Sequence, residues 1–191
     1  ALALLAADPG ISEVILSGGD PLMLDDERLA ALIEPLMALP HLRRLRWHTR
    51  LPVVLPSRIT PSLLALLAAS PLPIALVIHA NHAREVRDDA VRAALGALKA
   101  SGATLLNQSV LLRGVNADAA SLVDLSEALF AAGVLPYYLH LLDPVAGAAH
   151  FAVPLAEARA IIAELRTALP GYLVPKLVRE LAGGAYKEPC G

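Results

Sequence analysis

Short apolar runs alternate with longer amphipathic stretches along this chain, and that alternation restricts the fold more than any other feature. The apolar runs occupy 13–17, 45–48, 74–79, 104–109, 137–142 and 172–178, and helical patterns fill 26–39, 61–69, 84–101, 118–132 and 154–169. One strand and one helix recur about every thirty residues, the length of a βαβ crossover, so the strands are expected to run parallel with helices packed on them. Boundary residues agree with this spacing. Thr60-Pro61 supplies a cap and a first-turn proline, Asp25-Asp26-Glu27 puts acids at a positive helix end, and Gly102 and Gly133 stand where helices close.

A complete eight-unit barrel takes about 250 residues, and this chain holds about five or six units. The expectation is an α/β fold: a partial (β/α) parallel barrel, truncated at the N-terminus, forming one domain over residues 1–191 with no linker dividing it. Ala1-Leu2-Ala3-Leu4-Leu5 reads as mid-helix with no cap before it, and no closing element follows Cys190-Gly191, so both ends read as cut.

The apolar fraction is high, 56%. Yet no run of about 18 residues lacks both charge and proline, so a membrane span is not expected. No basic segment precedes the N-terminal apolar stretch, as a secretory signal requires. The net charge of −2 and scattered basic residues leave no footprint for nucleic acid; the densest group, Arg43, Arg44, Arg46 and Arg50, reads as a strand and its flanks. The single cysteine, Cys190, excludes an internal disulfide and points to a reducing, cytoplasmic setting. A homo-oligomer is compatible with the sequence and not specified by it.

Ligands gather at the carboxyl ends of parallel strands. Here five successive ends read Gly18-Gly19-Asp20; His48 and Arg50; His79, Asn81 and His82; Asn107 and Gln108; and His140 and Asp143. In Ser17-Gly18-Gly19-Asp20-Pro21, paired glycines let the backbone approach a ligand, Asp20 can receive an ammonium group, and Pro21 stiffens the exit. The same residues also suit an ordinary strand-to-helix turn. Lys187 follows Ala182-Gly183-Gly184-Ala185-Tyr186 and could form a Schiff base with an aldehyde cofactor such as pyridoxal phosphate, or be a solvated charge. Asp143 and Glu180 could hold a cationic substrate or act as acid and base, and each could equally cap a helix or join a salt bridge. His79 and His82 invite a metal, whereas His41 and His150 read as surface or backbone-bonded histidines.

Together these segments resemble the lysine 2,3-aminomutase family of radical S-adenosylmethionine (SAM) enzymes, in particular the bacterial branch that supplies (R)-β-lysine for modifying elongation factor P. The resemblance is carried by Val14-Ile15-Leu16-Ser17-Gly18-Gly19-Asp20-Pro21-Leu22, by Leu51-Pro52-Val53-Val54-Leu55-Pro56-Ser57-Arg58-Ile59-Thr60, and by Asn107-Gln108-Ser109-Val110-Leu111-Leu112-Arg113-Gly114-Val115-Asn116. Pro136-Tyr137-Tyr138-Leu139-His140-Leu141-Leu142-Asp143, with 147–151, and Val174-Pro175-Lys176-Leu177-Val178-Arg179-Glu180 through Lys187 complete it in family order. It implies that Ser17, Gly18, Gly19 and Asp20 receive the methionyl ammonium of SAM, with His48 and Gln108 near that cofactor. It implies further that Lys187, in a pyridoxal-lysine segment over 171–191, holds pyridoxal phosphate, and that Asp143 and Glu180 bind the side-chain ammonium of L-lysine.

The implied reaction is an isomerisation. A reduced 4Fe-4S cluster cleaves SAM, the resulting 5′-deoxyadenosyl radical takes hydrogen from the β-carbon of lysine, and the amino group migrates from α to β. This chain departs from the family twice. Glu180 stands where clostridial members carry aspartate, and the CxxxCxxC cluster motif is absent, which would lie before residue 1 and leave these residues alone inactive. Three further readings stay open: a glutamate or arginine 2,3-aminomutase, a metal-dependent barrel hydrolase or lyase using His79, His82, His140 and Asp143, and a non-catalytic binding remnant.

Overall fold

The computed structural model describes residues 1–181, 183–184 and 186–191. In chain order the elements are α1 (Leu2–Ala7), β1 (Glu13–Leu16), α2 (Asp26–Met37), β2 (Arg44–Thr49), α3 (Leu51–Val54), α4 (Pro61–Ala68), β3 (Ile74–Ile78) and α5 (Ala83–Arg87). There follow α6 (Asp89–Ala100), β4 (Thr104–Val110), α7 (Ala119–Ala131), β5 (Leu135–His140), α8 (Leu155–Ala168), β6 (Lys176–Arg179) and β7 (Glu188–Pro189). They fall into two compact units, 1–78 with 89–105, and 79–88 with 106–191.

In the first unit β1, β2 and β3 run parallel, in register from Glu13↔Arg44 to Leu16↔Trp47 and from Leu45↔Ile74 to Thr49↔Ile78. Strand alternation divides β2 into two faces. Leu45, Trp47 and Thr49 are buried, as are Leu29 and Ile33 of α2 and Leu63 of α4. The opposite face carries Arg44, Arg46 and His48. There Glu13 of β1 meets Arg46 Nε at 3.0 Å and Arg44 Nε at 3.3 Å, as the cross-strand register dictates. The predicted caps form as well: Asp25 accepts from the Arg28 amide at 2.8 Å, and Thr60 from the Leu63 amide at 3.1 Å.

In the second unit β4, from Leu106 onward, pairs parallel with β5, and β5 pairs parallel with β6, while β7 returns antiparallel to β6. Leu122, Leu125 and Leu129 of α7 and Ile162 and Leu165 of α8 are buried, as are Leu139 and Leu177 on the strands. Among the described residues no helix is long and apolar enough to cross a membrane.

Two elements differ from the sequence expectation by more than a shift of a residue or two at their ends. The helix expected over 84–101 is two helices, because Asp88 adopts φ −58° and ψ 133° between α5 and α6. Aspartate prefers helix ends to interiors, so Asp88-Asp89 restarts a helix rather than continuing one. The strand expected over 172–178 begins only at Lys176, since Gly171–Leu173 forms a 3-10 turn and Pro175 has no amide hydrogen to offer a ladder. The short helix α3 and the return strand β7 were not apparent in the periodicity.

Candidate active site

In the first unit, Ser17, Gly18 and Gly19 are exposed and Asp20 is half-buried. Gly19 has φ 65°, where a side chain would be strained, and a Cβ at Gly18 or Gly19 would meet nothing within 4 Å. The glycine backbone therefore lies open to a ligand. Asp20 has a second role that the sequence did not announce. Its Oδ1 accepts from the Leu22 amide at 3.0 Å and from Thr49 Oγ1 at 2.7 Å, and its Oδ2 accepts from the Arg50 amide at 2.7 Å. Asp20 thus caps the 3-10 turn Pro21–Met23 and ties it to the end of β2. Three of about four acceptor positions are occupied by the fold, so its charge shapes the turn as well as facing it. His48, half-buried, lies one residue before Thr49 on the opposite strand face.

In the second unit the expected strand-end residues divide into framework and site. Asn107 Oδ1 accepts from the Ala80 amide at 2.8 Å, and its Nδ2 donates to the Ala80 carbonyl at 3.1 Å and to Ser109 Oγ at 2.8 Å. Asn81 Oδ1 accepts from the Val110 amide at 2.8 Å, and Asn116 Nδ2 donates to the carbonyls of Asn81 and Val110, each at 2.9 Å. These amides, those of Asn107 and Asn116 fully buried, are spent on fixing the 79–82 segment against β4. His82 Nδ1 accepts from the Arg84 amide at 3.2 Å and caps α5, while Glu85 Oε1 accepts from the amides of Asn81 and His82. Gln108, by contrast, pairs in register with Tyr138, and Val110 with His140, which puts Gln108, Tyr138 and His140 on one sheet face.

Lys187 and Glu180 come together through the β6–β7 hairpin. Its register sets Arg179 opposite Glu188, and those side chains form an ion pair. The hydrogen bond from Arg179 holds the Glu188 carboxyl below its usual range, and that bond raises the Arg179 guanidinium in turn. The next position outward places Lys187 opposite Glu180, and its ammonium donates to Glu180 Oε1. Lys187 Nζ also lies 5.9 Å from the centroid of the Tyr138 ring, which meets the His140 ring edge-on at 5.7 Å. Tyr138 thus stands beside Lys187, a neighbour that nothing in its strand pattern announces. Lys187 and Tyr138 help line a cavity of about 600 Å³ with Lys176 and Val178, room enough for a pyridoxal-sized ligand. Asp143 stands exposed in the loop after β5, outside the Glu180–Lys187 pair. Ala182 and Ala185, in the glycine-rich run before Lys187, lie outside the described residues.

Among the described residues, no three of His, Cys, Asp or Glu are arranged to hold a metal ion. His79, His82, His140 and Asp143 therefore do not make the centre that a metal-dependent hydrolase needs. An iron–sulfur cluster does not fit these residues either, since Cys190 is the only thiol and is buried.

No family model matches the chain. Over 189 residues it is 56% identical to the L-lysine 2,3-aminomutase of Escherichia coli (strain K12), covering 99% of this chain and 55% of that protein. The chain belongs to the lysine 2,3-aminomutase family. The L-lysine 2,3-aminomutase of Clostridium subterminale is 40% identical over 181 residues, 95% of this chain and 43% of that protein. The chain thus spans about half the length of the curated relatives it matches. Two solved structures share the fold at low identity. A radical SAM methyltransferase from Sphaerobacter thermophilus matches with a TM-score of 0.66 and 16% identity, over 99% of this chain and 57% of that one. Streptococcus suis SuiB bound to S-adenosylmethionine matches with a TM-score of 0.61 and 15% identity, over 88% of this chain and 39% of that one. The fold is the α/β partial barrel of radical SAM enzymes.

Proposed function

We propose that the full-length protein is a radical SAM, pyridoxal phosphate-dependent aminomutase that converts L-lysine to (R)-β-lysine for the modification of elongation factor P. The observation that carries this reading is the Lys187–Glu180 juxtaposition in a chain 56% identical to a relative named for that activity. In this reading the backbone of Ser17, Gly18 and Gly19 accepts the methionyl ammonium of SAM over the charge of Asp20, and His48 and Gln108 serve the same cofactor. Lys187 holds the aldehyde of pyridoxal phosphate, with the Tyr138 ring beside it. SAM supplies the hydrogen-abstracting radical and pyridoxal phosphate stabilises the rearranging one, while the protein binds, orients and excludes water. The cluster that cleaves SAM takes its thiolates from outside these residues.

Glu180 and Asp143 receive the side-chain ammonium of lysine, a charge-assisted contact. A glutamate substrate would bring a carboxylate against them, and this like-charge penalty favours lysine. The test is anaerobic reconstitution of the full-length protein with iron, sulfide, pyridoxal phosphate and SAM, followed by chromatography of products from L-lysine, L-glutamate and L-arginine. β-Lysine is expected from lysine alone. Its absence with all three cofactors bound refutes the proposal, as does visible pyridoxal absorbance that persists in Lys187→Ala. The elongation-factor role is checked by mass spectrometry of that factor in a deletion strain, where the β-lysyl adduct should disappear.

A further inference from the structure

Behind the glycine turn lies a cluster that plays no part in the reading above. The Arg58 side chain is only 14% exposed, and it points back at the segment leaving the turn. Its Nε donates to the Leu22 carbonyl at 2.7 Å and its Nη2 to the Leu24 carbonyl at 2.7 Å. Nη1 lies 2.7 Å from Asp26 Oδ1. Asp26 Oδ2 in turn accepts from Thr60 Oγ1 at 2.6 Å and from the Ser62 hydroxyl. Burial pushes the Asp26 carboxyl up, but the hydrogen bonds from Ser62, Thr60 and Arg58 and the Arg58 charge outweigh it and hold the group below its usual range. Every nitrogen of the guanidinium is thus engaged, two of them on main-chain oxygens.

The geometry matters because Asp20 secures the other end of the same segment. Asp20 fixes the turn to Thr49 and Arg50, and Arg58 fixes Leu22 and Leu24, so residues 20–24 are pinned at both ends to 49–58. Between the two anchors run α3 and the 3-10 turn Pro56–Arg58, which are stiffened by Pro52 and Pro56. Arginine suits this task and lysine does not, since only a planar fork reaches two carbonyls and a carboxylate together.

We infer that Arg58 is a positioning residue for SAM: by holding the Leu22 and Leu24 carbonyls it sets where the Gly18–Gly19 backbone meets the amino group of that cofactor. This inference rests on the reading of the turn as the SAM amine site. The test uses the full-length protein and equilibrium dialysis against labelled SAM, which needs no turnover, with pyridoxal absorbance and circular dichroism as controls. Arg58→Lys should weaken SAM binding about tenfold, the order seen when a supporting contact behind a ligand site is lost. It should raise KM for SAM while leaving KM for lysine and the pyridoxal absorbance unchanged. Asp26→Asn keeps both carbonyl bonds and should bind SAM close to the wild-type level. Wild-type SAM affinity in a folded Arg58→Lys overturns the inference. So does an equal loss in Arg58→Lys and Asp26→Asn, or failure of Arg58→Lys to fold while Asp26→Asn folds and binds normally. Asp20→Ala separates the two levels. Normal SAM binding there sinks the reading of the turn itself, whereas loss there with normal binding in Arg58→Lys sinks only the role of Arg58.

Discussion

Replacing Asp20 by asparagine tests how the turn is built without changing its size. The carboxylate accepts three hydrogen bonds: the Leu22 amide and Thr49 hydroxyl on one oxygen, the Arg50 amide on the other. An asparagine can keep the first two through its carbonyl oxygen, but its NH₂ then faces the Arg50 amide, donor against donor. One charge-assisted bond to an exposed amide is lost and two donors are set against each other, a cost of about 1.5–3 kcal/mol. That corresponds to an equilibrium shift of roughly ten- to a hundredfold toward the open turn. Hydrogen–deuterium exchange in the full-length protein reads this locally, because the Arg50 amide exchanges through that opening. The Arg50 amide should exchange faster by about that factor, and the Leu22 amide by less, since its acceptor persists. Unchanged exchange at Arg50 would refute the account of Asp20 as the tie between the turn and β2.

Other outcomes follow from the same structure. Trp47 is fully buried on β2, so Trp47→Ala should destabilise the protein by about 3–5 kcal/mol, read by denaturant unfolding. Asp26 and Asp118 both have folded-state carboxyls below their usual range: Asp26 because its hydrogen bonds outweigh burial, Asp118 chiefly through the Ser121 amide and hydroxyl. A lowered folded value gives stability that is full above the unfolded value, about 3.9, and lost as pH falls through the folded one. Asp26→Asn should therefore flatten the acid limb of a stability–pH curve below about pH 4, with little change in its slope near neutrality. Glu180→Gln should raise KM for lysine about tenfold or more while SAM affinity stays put, measured by steady-state assay and dialysis; an unchanged KM would argue against Glu180 as a substrate contact.

Much of the fold could be read from spacing alone, because strand and helix leave different periodicities and the boundaries carry their own chemistry. The Thr60-Pro61 start is a local signal and was legible as such. The division at Asp88 was not, because Arg84 to Ser101 keeps a helical pattern on both sides of a single residue whose dihedrals break it. At the site, reactive residue types were easy to nominate and their partners were not. Asp20 reads as a charge for a ligand, yet its bonds to Thr49 and Arg50 depend on a register 29 and 30 residues away. Asn81 and Asn107 look like ligand contacts in sequence, but the structure uses them to satisfy main-chain groups, which no local pattern distinguishes from catalysis. Tyr138 was hidden because an aromatic on a strand is ordinarily packing.

The β6–β7 hairpin has one further consequence. Cys190 donates its amide to the Leu177 carbonyl at 2.9 Å, and its own carbonyl accepts from Arg159 Nε at 2.6 Å, so the chain just beyond Lys187 is stitched to β6 and α8 together. The amine is thereby indexed to a sheet edge rather than carried on a free loop. A one-residue slip between β6 and β7 would turn Lys187 to the opposite face and separate it from both Glu180 and Tyr138. For anyone altering the substrate range of such a chain, the two-residue strand after Lys187 is the part whose register must be kept.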